Sequence, residues 1–245
     1  MLYYNDNKRW GDSLRLLTIS DIHGRFEEFQ KLLKFANYHN SDYLINLGDM
    51  IDRGKDSYKV VEWFREMNKK TRGRVQTLMG NHEHMFLGYI AGNVKDEDFL
   101  NKFVGGDKTI ISYENVPQEK MEQHVKFIGK LPLYLEIGDY IFTHGGLDIN
   151  KPLSQQTIYD TAWDYKKIYT KDTSKYDKII IGGHTPTKFI YEYYGQNKSE
   201  IWKSNNYICI DCTFSKSRKM LLYDVINDIE YYYDFAKKSC YKIGG

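Results

Sequence analysis

Apolar residues in the first half of the chain fall into short runs, each stopped by a small or charged residue and followed by a segment with helical spacing. Residues 14–19 form one such run, closed by Ser20 and Asp21, after which Phe26, Phe29, Leu32, Leu33 and Ala36 recur three and four apart. A short continuous run reads as a buried strand, and the period that follows as one face of a helix. Residues 43–47, closed by Gly48, are a second strand, and Val60, Val61, Phe64 and Met67 mark the next helix face. Residues 75–79, closed by Gly80, are a third, with a helix opening near His82. This alternation predicts parallel strands joined by helices.

Residues 93–130 carry a charged helical pattern broken at Gly105 and Gly106, which predicts a helical insertion or cap. The runs at 133–137 and 140–143 flank Gly138 and Asp139 as a hairpin. Short runs at 178–181, 189–193, 207–210, 219–223 and 229–233 predict a mainly antiparallel second half, with one helix near 155–169. The expected fold class is α/β, with two stacked mixed β-sheets flanked by helices. A length of 245 residues suits a single domain over 1–245, and only four prolines and no repeat interrupt it.

Lys and Arg number 35 against 33 Asp and Glu, a balance that argues against a nucleic-acid partner held by a basic surface but leaves room for a local basic pocket for one phosphate. No stretch approaches the roughly 18 apolar residues that would span a bilayer. Residues 1–10 lack the apolar centre of a secretory signal, and three cysteines form no paired framework, so a cytoplasmic setting is expected. Cys209 and Cys212 have C-x-x-C spacing, but no second pair accompanies them, and a strand there turns them to opposite faces. His39, His84 and His124 match no cluster and are expected on the surface.

The candidate chemistry lies in five polar clusters, each after an apolar run: Asp21-Ile22-His23-Gly24, Gly48-Asp49-Met50-Ile51-Asp52-Arg53-Gly54, Gly80-Asn81-His82-Glu83, His144-Gly145-Gly146 and Gly182-Gly183-His184-Thr185. Side chains at the carboxyl ends of neighbouring strands emerge from one sheet edge, where α/β proteins bind ligands. The donors are carboxylate, imidazole and amide, without thiolate, a set that suits manganese, iron or zinc as hard or borderline divalent ions. Asp49 ends the middle strand of the set and is placed to bridge two ions about 3.5–4 Å apart.

As a set, the clusters resemble those of the metal-dependent phosphoprotein phosphatases within the calcineurin-like metallophosphoesterases, particularly the small bacterial and phage-type serine/threonine enzymes. The resemblance covers positions 20–185 and implies a four-layer α-β-β-α fold. It implies that Asp21 and His23 hold one metal ion, that Asn81, His144 and His184 hold a second, and that Asp49 is shared. Arg53, with Asn81 also touching the substrate, would grip phosphate oxygens, and His82, oriented by Asp52, would protonate the leaving alkoxide. The implied reaction is phosphomonoester hydrolysis by a two-metal-activated hydroxide, with manganese the expected ion pair. The expected partner is a phosphorylated protein or a small phosphoester. The alternatives are a symmetrical dinucleoside tetraphosphate hydrolase and a broad-specificity phosphoesterase. Glu83 favours the protein phosphatases, since the dinucleotide hydrolases usually have Asp there.

The chain departs from the pattern at three places. Ser20 replaces a usual Gly, a change expected to affect a turn and no ligand. Tyr165 stands where related bacterial enzymes carry a second phosphate-binding Arg; Lys166, Lys167 or Arg25 could substitute, or the second clamp is absent. Asp211-Cys212-Thr213 takes the place of an Asp-Thr-Gly segment.

Overall fold

The computed structural model describes residues 15–163, 167–174, 176–204, 206–212 and 219–245. In chain order these form β1 (Leu16–Ile19), α1 (Phe26–Phe35), β2 (Tyr43–Asn46), α2 (Ser57–Lys70), β3 (Val75–Thr77), α3 (Asn81–Ile90), α4 (Asp96–Phe99), α5 (Gly106–Tyr113) and α6 (Gln118–Ile128). There follow β4 (Tyr134–Ile137), β5 (Tyr140–Thr143), α7 (Ile158–Thr161), β6 (Ile179–Gly182), α8 (Thr187–Tyr193), β7 (Trp202–Ser204), β8 (Tyr207–Cys209), β9 (Lys219–Asp224), β10 (Ile229–Asp234) and β11 (Ser239–Ile243).

Two mixed sheets result. One runs β11-β10-β9-β1-β2-β3, with β1, β2 and β3 mutually parallel; the other runs β4-β5-β6-β8-β7. Period-two alternation assigns each strand residue to a layer. On β1, Leu17 and Ile19 pack against the α1 residues Phe29, Leu32 and Leu33 and the α2 residues Val60, Val61 and Phe64. Leu16 faces the other way, onto Ile137, Phe142 and Ile181 of the second sheet. β9 repeats the division, Met220 and Leu222 toward the helices and Leu221 and Tyr223 between the sheets. The far side of the second sheet is covered by Ile190 of α8.

Several expectations change. Residues 189–193 lie within α8 and are not a strand: Ile190 is buried while Phe189 and Tyr193 are exposed, and Lys188 pairs with Glu192 one turn on at 3.4 Å. A short aromatic run cannot be told from a helix by its period alone. This helix carries the connection between β6 and β8, which parallel strands require. The second half is therefore less antiparallel than expected, since β5 and β6 are parallel too. Among the described residues of the helix expected near 155–169, α7 is the α-helical part, with 3₁₀ turns at Leu153–Gln155 and Ile168–Thr170 on either side. Thr157 and Asp160 close a capping box that starts a new helix inside that stretch.

His124 is the other correction. It is fully buried, with its Nε2 2.7 Å from Glu62, its Nδ1 2.8 Å from the Tyr113 hydroxyl, and its ring stacked on Tyr58. Cys209 and Cys212 are buried in different clusters on opposite faces of their strand end, as alternation requires. Asp164, Tyr165, Lys166 and Thr213 lie outside the described residues.

Candidate metal centre

The loops after β1 and β2 are laced together: Asp21 N–H donates to Gly48 O at 3.2 Å, His23 N–H to Asp49 O at 2.9 Å and Gly24 N–H to Met50 O at 2.8 Å. This pairing continues the parallel sheet past its last strand residues and brings the first two polar clusters side by side. Six of the eleven non-glycine residues with positive φ among the described residues are Asp21, His23, Asp49, Asp52, Arg53 and His184. Such backbone costs about 1–3 kcal/mol per residue and persists only where the surroundings over-determine it.

Asp49 sits at the centre, 1 % exposed. Its Oδ1 lies 3.4 Å from His144 Nε2, and its Oδ2 lies 3.6 Å from His23 Nε2 and 3.8 Å from His82 Nε2. Two ligand-atom groups form around it, one with His23 and His82 and one with His144 and His184. Asp21 Oδ1 is 3.7 Å from His23 Nε2, Asp21 Oδ2 accepts the His184 backbone N–H at 3.0 Å, and Asn81 Oδ1 is 3.1 Å from His144 Nε2. The six residues expected to hold metal therefore share one locus.

The donor set fits divalent cations. His23 and His144 donate Nδ1–H to the backbone carbonyls of Ile51 at 2.8 Å and Leu47 at 3.1 Å, which turns Nε2 of each ring toward Asp49. Burial, with Asp211 and Asp49 nearby, pushes Asp21 up to about 8. Burial lowers His144, but Asp49, Asp21 and Glu83 outweigh it and raise the ring to about 9, so excess negative charge there draws a proton. Burial next to His144 lowers His184 to about 3, which leaves that imidazole neutral and able to coordinate.

Arg53 donates Nη1–H to His23 Nε2 at 2.6 Å and Nη2–H to His82 Nε2 at 3.1 Å, so its guanidinium spans both rings and must release His23 before that nitrogen can bind a cation. His82 Nδ1–H donates to Asp52 Oδ2 at 2.6 Å. Burial opposes charge on His82, but Asp49 and Asp52 prevail and raise its pKa. A cavity of about 640 Å³ opens over these groups, rimmed by Arg25, Lys102, Phe103, Lys108 and Phe189.

Five residues at the site were not assigned to it from sequence. Asp211, 2 % exposed, lines the cavity and raises Asp21; like the other acids it follows a strand run, and that was its signal. Ser20, expected to alter only a turn, donates its hydroxyl to Asp21 Oδ2. Lys102, Phe103 and Lys108 bring the 93–130 segment to the rim, where no motif announced them. Of the residues considered for a second phosphate contact, Arg25 lines the cavity with Nη1 bonded to His23 O at 3.2 Å, whereas Lys167 is exposed and does not line it.

A model of the calcineurin-like phosphoesterase family matches residues 14–211. The symmetrical bis(5'-nucleosyl)-tetraphosphatase of Buchnera aphidicola is 36 % identical over 95 residues, covering 38 % of this chain and 33 % of that protein. Shewanella-like protein phosphatase 1 of Plasmodium berghei is 30 % identical over 161 residues, covering 60 % of this chain and 43 % of its own length. The chain thus spans a third to under half of these curated relatives. Among solved structures, a putative diadenosine tetraphosphatase superposes with a TM-score of 0.61 at 16 % identity, over 96 % of this chain and 95 % of that one. A cold-active protein-tyrosine phosphatase of a Shewanella species gives 0.58 at 18 %, over 94 % and 81 %. These likenesses are of fold. Every residue that lines the cavity falls inside the matched span, and the chain belongs to the calcineurin-like phosphoesterase family.

Proposed function

We propose that the chain hydrolyses phosphomonoesters, with phosphoserine and phosphothreonine in proteins as its substrates. The observation that carries this reading is the His82–Asp52 pair beside Arg53 on the wall of the Asp49 cavity. A serine or threonine alkoxide is a strong base and leaves only with a proton, so a held imidazolium is useful for that leaving group. A nucleoside diphosphate leaves readily without one.

In this reading Asp21, His23, Asp49, Asn81, His144 and His184 hold two divalent ions; manganese is our assignment, with iron or zinc equally suited to O and N donors. Such a pair supplies charge for the phosphoryl oxygens and lowers the pKa of water toward neutrality. Arg53 turns from the imidazoles to the phosphate, where its planar fork makes two parallel hydrogen bonds. That movement frees His82 Nε2 to take up a proton from solvent, and with Nδ1–H fixed on Asp52 the imidazolium then delivers the Nε2 proton to the departing oxygen. Burial raises the Cys209 and Cys212 thiols, which keeps them protonated and outside the proposed chemistry.

A second reading is hydrolysis of dinucleoside tetraphosphates. The Buchnera relative carries that name, and the cationic rim of Arg25, Lys102 and Lys108 beside Phe103 and Phe189 suits an anionic, aromatic leaving group. The two are separated by comparing kcat/KM for phosphopeptides and for diadenosine tetraphosphate with manganese. A higher value for phosphopeptides is the expected result, and a strong preference for the dinucleotide overturns the first reading.

A further inference from the structure

Asp52 and Arg53 both lie in the left-handed region, at φ 71° and 63°, on a loop beyond the end of β2. Their restraint comes from residues 105–109, in the helical segment between α3 and β4. Arg53 N–H donates to Gly105 O at 3.1 Å. Gly105 has φ 79°, and a Cβ there would stand 2.6 Å from Arg53 N, so only glycine permits the approach. At the other end, Thr109 is fully buried on α5. Its hydroxyl donates to Asp52 Oδ1 at 2.5 Å and accepts the Asp52 backbone N–H at 2.9 Å. Ser57 Oγ is also within 3.1 Å of Thr109 Oγ1, but one hydroxyl proton serves one acceptor, and the carboxylate is both nearer and charged.

We infer that Thr109 is a positioning residue for proton transfer, contributed by the helical segment 93–130. The terminal torsion of an aspartate is broad and has no sharp staggered wells. With Oδ2 held only by His82, the Asp52 carboxylate would rotate, and the imidazole would turn with it. The Thr109 hydroxyl pins Oδ1, so that Oδ2 meets His82 Nδ1 and the opposite nitrogen faces the cavity. Gly105 sets the neighbouring Arg53 by the same five-residue stretch. Segment 105–109 therefore couples the phosphate-binding and proton-donating groups. This rests on His82 being the proton donor.

The test uses manganese-loaded protein and two substrates, an alkyl phosphate with a poor leaving group and a dinitrophenyl phosphate that needs no proton. Thr109→Val keeps the shape and removes the hydroxyl, while Ser57 Oγ, 3.1 Å from the Asp52 N–H, keeps that donor satisfied. The expected result is a loss of about tenfold to a hundredfold in kcat on the alkyl ester, the range of one charge-assisted hydrogen bond. KM should stay close to wild type, the aryl ester should be little affected, and Thr109→Ser should restore the rate. In protein loaded with diamagnetic zinc, the His82 Nδ1–H proton resonance should be sharp and far downfield in wild type and Thr109→Ser, and shifted or broadened in Thr109→Val. If Thr109→Val does not fold, Thr109→Ala is read for the same substrate contrast. Equal slowing of both substrates, or of neither, overturns the inference. His82→Asn is the control: if it shows no dependence on leaving group, the proton-donor reading itself fails; if it does and Thr109→Val does not, only Thr109's role fails.

Discussion

Glu83, fully buried on the first turn of α3, accepts the backbone N–H of Asp49 at 2.8 Å across 34 positions of chain. Its other oxygen takes the Met50 N–H at 2.8 Å, and the first also takes the Gly80 N–H at 3.1 Å. One carboxylate thus sets the backbone of the central acid and closes the start of its own helix. Glu83→Ala is expected to leave these three buried donors without their acceptor, at about 1–3 kcal/mol for each one that stays unpaired. Thermal unfolding of the variant measures the cost. Glu83→Asp, too short to span both oxygens' partners, should fall between; wild-type stability in Glu83→Ala would show that the clamp is not structural.

Asp49 lies between both candidate metal groups, so its charge should dominate cation affinity. Removal of metal by chelation should abolish hydrolysis of an aryl phosphate, and manganese should restore it. Cation binding to the folded state alone raises the melting temperature through mass action. Asp49→Asn is therefore expected to lose both the activity and the manganese-dependent rise in melting temperature, read by calorimetry. Full activity in excess chelator contradicts the metal assignment.

His82→Ala should reduce kcat on an alkyl phosphate by about 10²–10⁴-fold, the usual contribution of a placed general acid. Manganese binding, measured by the same melting shift, should survive, because Asp21, Asn81, His144 and His184 remain in place. Loss of the shift would instead make His82 a metal ligand, a role its Nε2 could take from 3.8 Å beyond Asp49 Oδ2.

Gly183 passes so close to Ser20 that an added Cβ would stand 1.9 Å from Ser20 Oγ and 2.8 Å from Asp21 Oδ2. Gly183→Ala should displace Asp21 and lower manganese affinity. Adding Ser20→Gly removes the nearer obstacle and should recover part of the loss, so the double variant should bind manganese better than Gly183→Ala alone. Additive losses would contradict the steric account.

Glu62 predicts a pH dependence far from the cavity. Burial raises its pKa, but hydrogen bonds from Lys120 and His124 prevail and hold it at about 2, below the unfolded value. A depressed carboxyl stabilises the fold above its unfolded pKa, and the contribution fades as pH falls through the folded one. Glu62→Gln should therefore lower the melting temperature at pH 7, and the gap to wild type should narrow between about pH 4.5 and 2. A gap independent of pH would assign Glu62's contribution to packing.

The sequence by itself determined the strand–helix alternation of the first half and the polar residues that gather at the cavity. Both are local: a buried parallel strand is a run of apolar side chains, and the polar residue that ends it must emerge at the sheet edge. Asp21, Asp49, Asn81, His144 and His184 were legible for this reason, and Asp211 obeys the same rule at the end of β8. The tertiary structure alone decided how those side chains meet. Glu83 beneath Asp49, Thr109 behind Asp52, Ser20 against Gly183 and Arg53 across two imidazoles are contacts between elements distant in sequence, and no periodicity encodes them. It also decided residues 187–193 and 155–161, where the short aromatic run suits either helix or strand and capping by Thr157 and Asp160 starts a new helix inside the expected one. Local pattern fixes which face of an element is apolar; only packing fixes which neighbour that face, and the polar residues beside it, will touch.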